Sequence, residues 1–225
     1  MSHVLADGTT ATVPPAAVVL VPVGSVEQHG PHLPLDTDTV IADAVARRAA
    51  ELADRAEVVV APPISYGASG EHQTFTGTSS IGTDALRTVL VELTRSVRTW
   101  AARVVYVNGH GGNLQALEAA VGQLTAEGHD VAWVACAADR PDLHAGRTET
   151  SLMLHLRPEG VRLERAEAGN TASLRELMPQ LRAGGVGAVS ANGVLGDPSG
   201  ASAAEGKHML EHMAGKVAAA LGTST

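Results

Sequence analysis

Residues 16–38 read Ala16-Ala-Val-Val-Leu-Val-Pro-Val23-Gly-Ser-Val-Glu27-Gln-His29-Gly-Pro-His32-Leu-Pro-Leu-Asp36-Thr-Asp38. The first eight form an unbroken apolar run, the pattern of a parallel strand buried on both faces. From Asp38 the period changes. Val40, Ile41, Ala44, Val45 and Leu52 recur on one side of a helix, Arg47, Arg48 and Asp54 on the other, and Asp38 suits an N-cap. Strand, loop and helix in this order are the opening of a parallel α/β sheet, and the loop lies at the carboxyl end of the strand, where such folds build their sites.

The rest of the chain continues the alternation. Residues 57–61 read as a second strand closed by Pro62-Pro63, and residues 66–82 as a glycine-rich loop. Thr83-Asp84 opens a helix to about residue 101, with Leu86, Leu90, Leu93 and Val97 spaced for a core face. Residues 103–107 form a third strand, 108–113 a turn, 114–127 a helix and 131–137 a fourth strand. The order β-α-β-α-β-α-β predicts an α/β fold with helices on both faces of a mainly parallel sheet. Beyond residue 139 the pattern is less regular. A short helix enters at residues 144–150 and ends near Arg157-Pro158, residues 184–200 are glycine-rich loop, and Ser202-Ala-Ala-Glu205 is a capping box for a last helix to about residue 221. Without a repeat or an internal linker, residues 1–225 read as one domain with a loose arm at 1–15.

The totals narrow the function. With 24 acidic against 16 basic residues the net charge is −8, unsuited to nucleic acid, whose phosphates need clustered Lys and Arg. The single Cys136 excludes an intrachain disulfide and fits a reducing compartment. Its place in an apolar strand favours a buried small hydrophobe over a nucleophile. No apolar run approaches the ~20 residues that span a bilayer, and the amino terminus has no basic segment followed by an apolar one. A cytoplasmic protein with no membrane partner is the expectation.

Three groups of residues can do chemistry. The first loop holds Glu27, His29, His32, Asp36 and Asp38, oxygen and nitrogen donors of the kind Zn²⁺, Fe²⁺ or Mn²⁺ accept; a polar loop capping the next helix is the plainer reading. The second is Asn108-Gly-His110-Gly-Gly-Asn113, where glycines give a ligand close access to His110, and where a structural histidine or an anion-binding turn are the alternatives. The third is His144-Ala-Gly-Arg147-Thr-Glu149, able to supply a general acid and a carboxylate, or simply a polar helix start. What favours the chemical reading of all three is topology, because a parallel sheet brings the ends of three separate strands to one edge. His72, in the loop after the second strand, can reach that edge as a substrate contact or belong to the loop. His155, His208 and His212 read as helix surface, and His32 as shaping its proline-flanked loop.

These motifs resemble the creatininase family of metal-dependent amide hydrolases over about residues 18–220. The resemblance is carried by Gly24-Ser-Val-Glu27-Gln-His29-Gly-Pro-His32-Leu-Pro34 with Asp36-Thr-Asp38, by Asn108–Asn113, by His144–Ser151, and by Gly193-Val-Leu-Gly196-Asp-Pro-Ser199 with Glu205-Gly206. It implies a three-layer αβα sandwich, two divalent metal ions (Zn, Fe or Mn) and a homo-oligomer, usually a hexameric ring. It also implies Glu27 and His29 on different ions, Asp38 bridging them, His110 as a further ligand, His144 as the proton-transfer residue and Glu149 as a carboxylate at the metal. Together with residues 66–78, the first motif is similar to the branch whose members release a modified C-terminal Val-Tyr dipeptide from a ribosomally made precursor peptide; a small-molecule amide hydrolase acting on a cyclic amide or formamide is the alternative. Two departures stand out. Creatininase proper has a glutamate ligand where this chain has Gly112, which makes Glu149 the candidate replacement. It has a tryptophan where this chain has Arg140, so Arg140 and Arg147 become candidates to bind a peptide's C-terminal carboxylate.

Overall fold

The computed structural model describes residues 4–55, 57–138 and 142–221. Its strands are β1 (Val18–Val23), β2 (Val58–Val60), β3 (Arg103–Asn108) and β4 (Val131–Ala135). They form one sheet in the order β2-β1-β3-β4, every pair parallel. The helices are α1 (Thr37–Ala53), α2 (Thr83–Val97), α3 (Leu114–Ala126), α4 (Arg147–Leu156), α5 (Leu174–Gly184) and α6 (Ala203–Ala220). The first motif therefore ends an inner strand, with Val23 in register with Asn108.

Alternation along the strands sorts the core into two layers. Val18, Leu20, Val58, Val60, Val105 and Val107 face α1, α4 and α6. Val19, Val21, Val23, Val59, Val104 and Tyr106 face α2 and α3. This is the αβα sandwich expected from the sequence. Each buried Val or Leu contributes about 1.5–3 kcal/mol relative to exposure. Tyr106 is fully buried, and its hydroxyl meets Thr94 Oγ1 at 2.7 Å and Leu90 O at 2.9 Å, so the ring enters the core without an orphaned donor.

Close backbone approaches hold the layers together. A Cβ at Gly206 would overlap the carbonyl of Ser151 where α6 crosses α4. Gly206→Ala is therefore expected to destabilise the protein by about 1–3 kcal/mol, read as a lower midpoint of urea unfolding; an unchanged midpoint would show that the crossing can relax.

In the amino-terminal arm Val4 bridges to Val60 and Leu5 packs against the second core layer. Several boundaries differ from the sequence expectation. β4 stops at Ala135, after which Cys136 N donates to Asn108 O as the chain turns away. The second helix ends at Val97, four residues early. Helix α5 was not expected, and Pro179 lies inside it.

Candidate metal centre

Two glycines press the start of α1 against the sheet edge. A Cβ at Gly24 would overlap the backbone of Thr39, and one at Gly109 would lie 2.5 Å from Asp38 O. Asp38 thus projects from the first turn of α1 directly above the ends of β1 and β3. Ser25 Oγ donates to its Oδ2 at 2.6 Å. The two carboxylate oxygens then diverge: Oδ2 is 3.3 Å from His110 Nδ1, and Oδ1 is 3.1 Å from His29 Nε2.

Glu27 lies at the centre. It is fully buried, and neither oxygen receives a hydrogen bond. His72 Nε2 and His110 Nε2 each approach to 3.2 Å, and His144 Nδ1 to 3.7 Å, but out of line for hydrogen bonds. An ionised carboxylate in that state is costly unless a cation lies beside it. The donor set supplies places for one. Glu27, Asp38 and His110 offer ligand atoms within 4.8 Å of one another, as do His29, His144 and Glu149, and Glu27, His72 and His144. Mixed oxygen and nitrogen donors at this spacing fit a divalent transition metal.

The later ligands are held by the loops that carry them. Asn108 Nδ2 donates to His110 O at 2.7 Å, while Asn113 Nδ2 donates to Gly24 O and to Asn108 Oδ1, stitching the Asn-Gly-His turn to the first motif. Glu149 rises from the first turn of α4 to place Oε2 3.8 Å from His29 Nε2, where it accepts from Ala145 N at 2.6 Å. Ala145 adopts a φ of 52°, a left-handed conformation costing an alanine about 1 kcal/mol. That turn aims both His144 and the amide that holds Glu149.

The structure brings Glu27, His29, Asp38, His110, His144 and Glu149 together, and adds His72 as a buried member of the cluster rather than a residue at its mouth. It does not bring Arg147, whose Nε lies 2.8 Å from Glu205 Oε2 and which lines a different cavity. Arg140 lies outside the described residues. Asp36 pairs with Arg157, and His32 with Thr150 Oγ1 at 2.9 Å, so both shape the loop. Two residues were missed. Gln28 contacts both His72 and His144. Glu71 Oε1 lies 3.4 Å from His110 Nε2 and 2.6 Å from where a Cβ of Gly112 would stand, so Glu71 already occupies the space beside that glycine. Their neighbours in Glu27-Gln28-His29 and Glu71-His72 were the only signal.

Charge is strongly polarised here. Burial opposes protonation of His29, yet Asp38, Glu149 and Glu27 override it and raise its pKa to about 10. His110 is likewise lifted well above its ordinary value, against burial, by Glu27, Asp38 and Glu71. Burial and Asp38 push Glu27 upward, but His110 and His72 bring it down to about 2. Burial, reinforced by His29 and His72, holds His144 well below the usual histidine range, and burial raises Glu149 to about 7. The carboxylates thus demand positive charge, which protons on His29 and His110 provide in the absence of a cation. Metal loading at pH 7 is expected to release about two to three protons per chain, from His29, His110 and the partly protonated Glu149, measured calorimetrically in buffers of different ionisation enthalpy. A buffer-independent heat would contradict this.

The cluster floors a cavity of about 530 Å³. The rest of its lining is mainly apolar, from Leu143, Leu195 and the unforeseen α5, which contributes Leu174, Met178 and Leu181 together with one cation, Arg182.

Comparison with known proteins agrees with this geometry. The creatininase family model, described as creatinine amidohydrolase, matches residues 8–221. The chain is 58% identical over 200 residues to the mycofactocin precursor peptide peptidase of Mycolicibacterium smegmatis, covering 87% of this chain and 81% of that protein. A solved structure described as creatininase Mn superimposes with a TM-score of 0.81 at 26% identity, covering 98% of both chains. A creatininase mutant of the Zn-Zn type gives 0.79 at 25% identity, covering 98% of this chain and 97% of that one. The chain belongs to the creatininase family.

Proposed function

We propose that this protein is a metal-dependent peptidase that releases the modified C-terminal Val-Tyr dipeptide from the mycofactocin precursor peptide. The observation that carries the chemistry is the buried Glu27 carboxylate, without a hydrogen bond and ringed by histidines and acids. The substrate follows from the 58% identical relative of that name. The cavity suits it: a wall of leucines and a methionine favours apolar side chains such as Val and Tyr.

Glu27 and His110 would hold one divalent ion and His29 and Glu149 a second, with one Asp38 oxygen directed to each. The donors suit Zn, Fe or Mn. Such an ion pair, when bound, polarises the amide carbonyl and lowers the pKa of water. The chain's own residues do the rest. The apolar wall orients the dipeptide and excludes bulk water. His144, neutral at pH 7, takes the proton released by the attacking water and passes it from Nδ1 to the leaving nitrogen, since an amide expels nitrogen only once it is protonated. Glu71, which lines the same cavity beside His110, adds a further carboxylate to that side of the site.

The test is incubation of metal-loaded protein with the modified precursor, followed by mass spectrometry. Release of the C-terminal dipeptide is expected. Turnover of a cyclic amide or formamide with no dipeptide release would instead establish a small-molecule hydrolase. Among the described residues no helix is long and apolar enough to cross a membrane.

A further inference from the structure

Gln28 is buried between two histidines that the site uses differently, and its hydrogen bonds decide which nitrogen of each ring carries the proton. The orientation of its carboxamide is fixed by backbone. Oε1 accepts from Gly30 N at 2.9 Å, and Nε2 donates to Gly193 O at 3.0 Å. Exchanging the two ends would set donor against donor and acceptor against acceptor. Gly193 is part of the device, because a Cβ there would overlap Gln28 Oε1.

One amide hydrogen remains, with two ring nitrogens in reach: His72 Nδ1 at 2.8 Å and His144 Nε2 at 3.0 Å. The main-chain carbonyl of Gln28 settles the choice. It lies 2.8 Å from His144 Nε2, it can only accept, and among the described residues no backbone amide donates to it. His144 therefore carries its proton on Nε2 and cannot accept from the carboxamide there. The remaining hydrogen goes to His72 Nδ1, which leaves the proton of neutral His72 on Nε2, the nitrogen 3.2 Å from Glu27 Oε1. The carboxamide of Gln28, its main-chain carbonyl, His144 Nε2 and His72 Nδ1 then all have matched partners.

We propose that Gln28 is a positioning residue that sets both tautomers, so that His144 turns a bare Nδ1 to the cavity while His72 turns an N–H toward Glu27. The two histidines are buried alike, yet they become different reagents. His144 has a lone pair with which to receive a proton. His72 has none to give a cation, so its part is to neutralise and hold Glu27, and the Glu27, His72 and His144 triad is not a third metal position. The tautomer assignment stands on the hydrogen bonds alone; its catalytic meaning rests on the peptidase reading.

The experiment is long-range ¹H–¹⁵N correlation on the full-length, zinc-loaded protein labelled with ¹⁵N-histidine, with His72→Asn and His144→Asn to assign the rings. Both rings are expected as Nε2–H tautomers. In Gln28→Glu the carboxylate has no hydrogen to offer, so a proton should appear on His72 Nδ1. Turnover should fall about 10–100-fold, as for partners that orient site histidines, with KM and zinc content nearly unchanged. A proton on His144 Nδ1 in the unmodified protein, or an unaltered ring pattern in Gln28→Glu, would overturn the proposal. Expected tautomers in a protein that fails to cleave the precursor would uphold it and reject the peptidase reading.

Discussion

His144→Ala is expected to lower kcat by about 10²–10⁴-fold, the range for a positioned general acid–base, while metal content stays near that of the unmodified protein. The reasoning joins position and charge. His144 approaches Glu27, and its ring lies tilted against those of His29 and His72 at centroid distances of 4.4 Å. Burial and those two neighbours keep it neutral, which a group that must first receive a proton requires. It also belongs to two of the three donor triads, so ligand and proton carrier are rival roles. Elemental analysis beside steady-state kinetics separates them. Loss of metal in step with turnover would make His144 a ligand, and unchanged kcat would remove it from the mechanism.

Asp38→Ala should have the opposite signature: metal lost first, and activity with it. Asp38 directs one oxygen to His29 and the other to His110, histidines assigned to different ions, so its removal takes a donor from both halves of the centre. It also leaves Ser25 Oγ without its acceptor and His29 without the main source of its raised pKa. The expected result is less than full occupancy at both positions, with turnover at background. Full occupancy in Asp38→Ala would exclude the bridging role.

The parts of this architecture that were legible in sequence are those where one physical signal dominates. The apolar runs ending at Val23 and Asn108 could only be buried strands, and the donors following them had to converge because parallel strands end at one edge. The three clusters were thereby placed at one edge, and the family resemblance singled out Glu27, His29, Asp38, His110, His144 and Glu149 among them. What was missed depends on tertiary contact. Helix α5 mixes exposed Leu174 with an internal Pro179, and its true signal was the capping box of Ser173 and Glu176. His72 reads from sequence as a substrate contact or a loop residue, because nothing local says that a short 3₁₀ turn at Gly70–His72 buries its ring inside the cluster. Arg147 looked available as a cation until α6 supplied Glu205 fifty-eight residues away in sequence.

The spread of the ligands along the chain has a consequence beyond catalysis. Glu27 and Asp38 flank the loop after β1, His110 follows β3, and Glu149 opens α4. The set is spread over residues 27–149, so no short segment of the polypeptide contains it and an ion recognises only the folded arrangement. By mass action, such an ion stabilises the native state over the unfolded chain by RT ln(1 + [L]/Kd), about 4 kcal/mol at a thousandfold excess over Kd. Metal supply would then govern how long each molecule survives proteolysis as well as how fast it turns over, and starvation for the ion would deplete the protein itself.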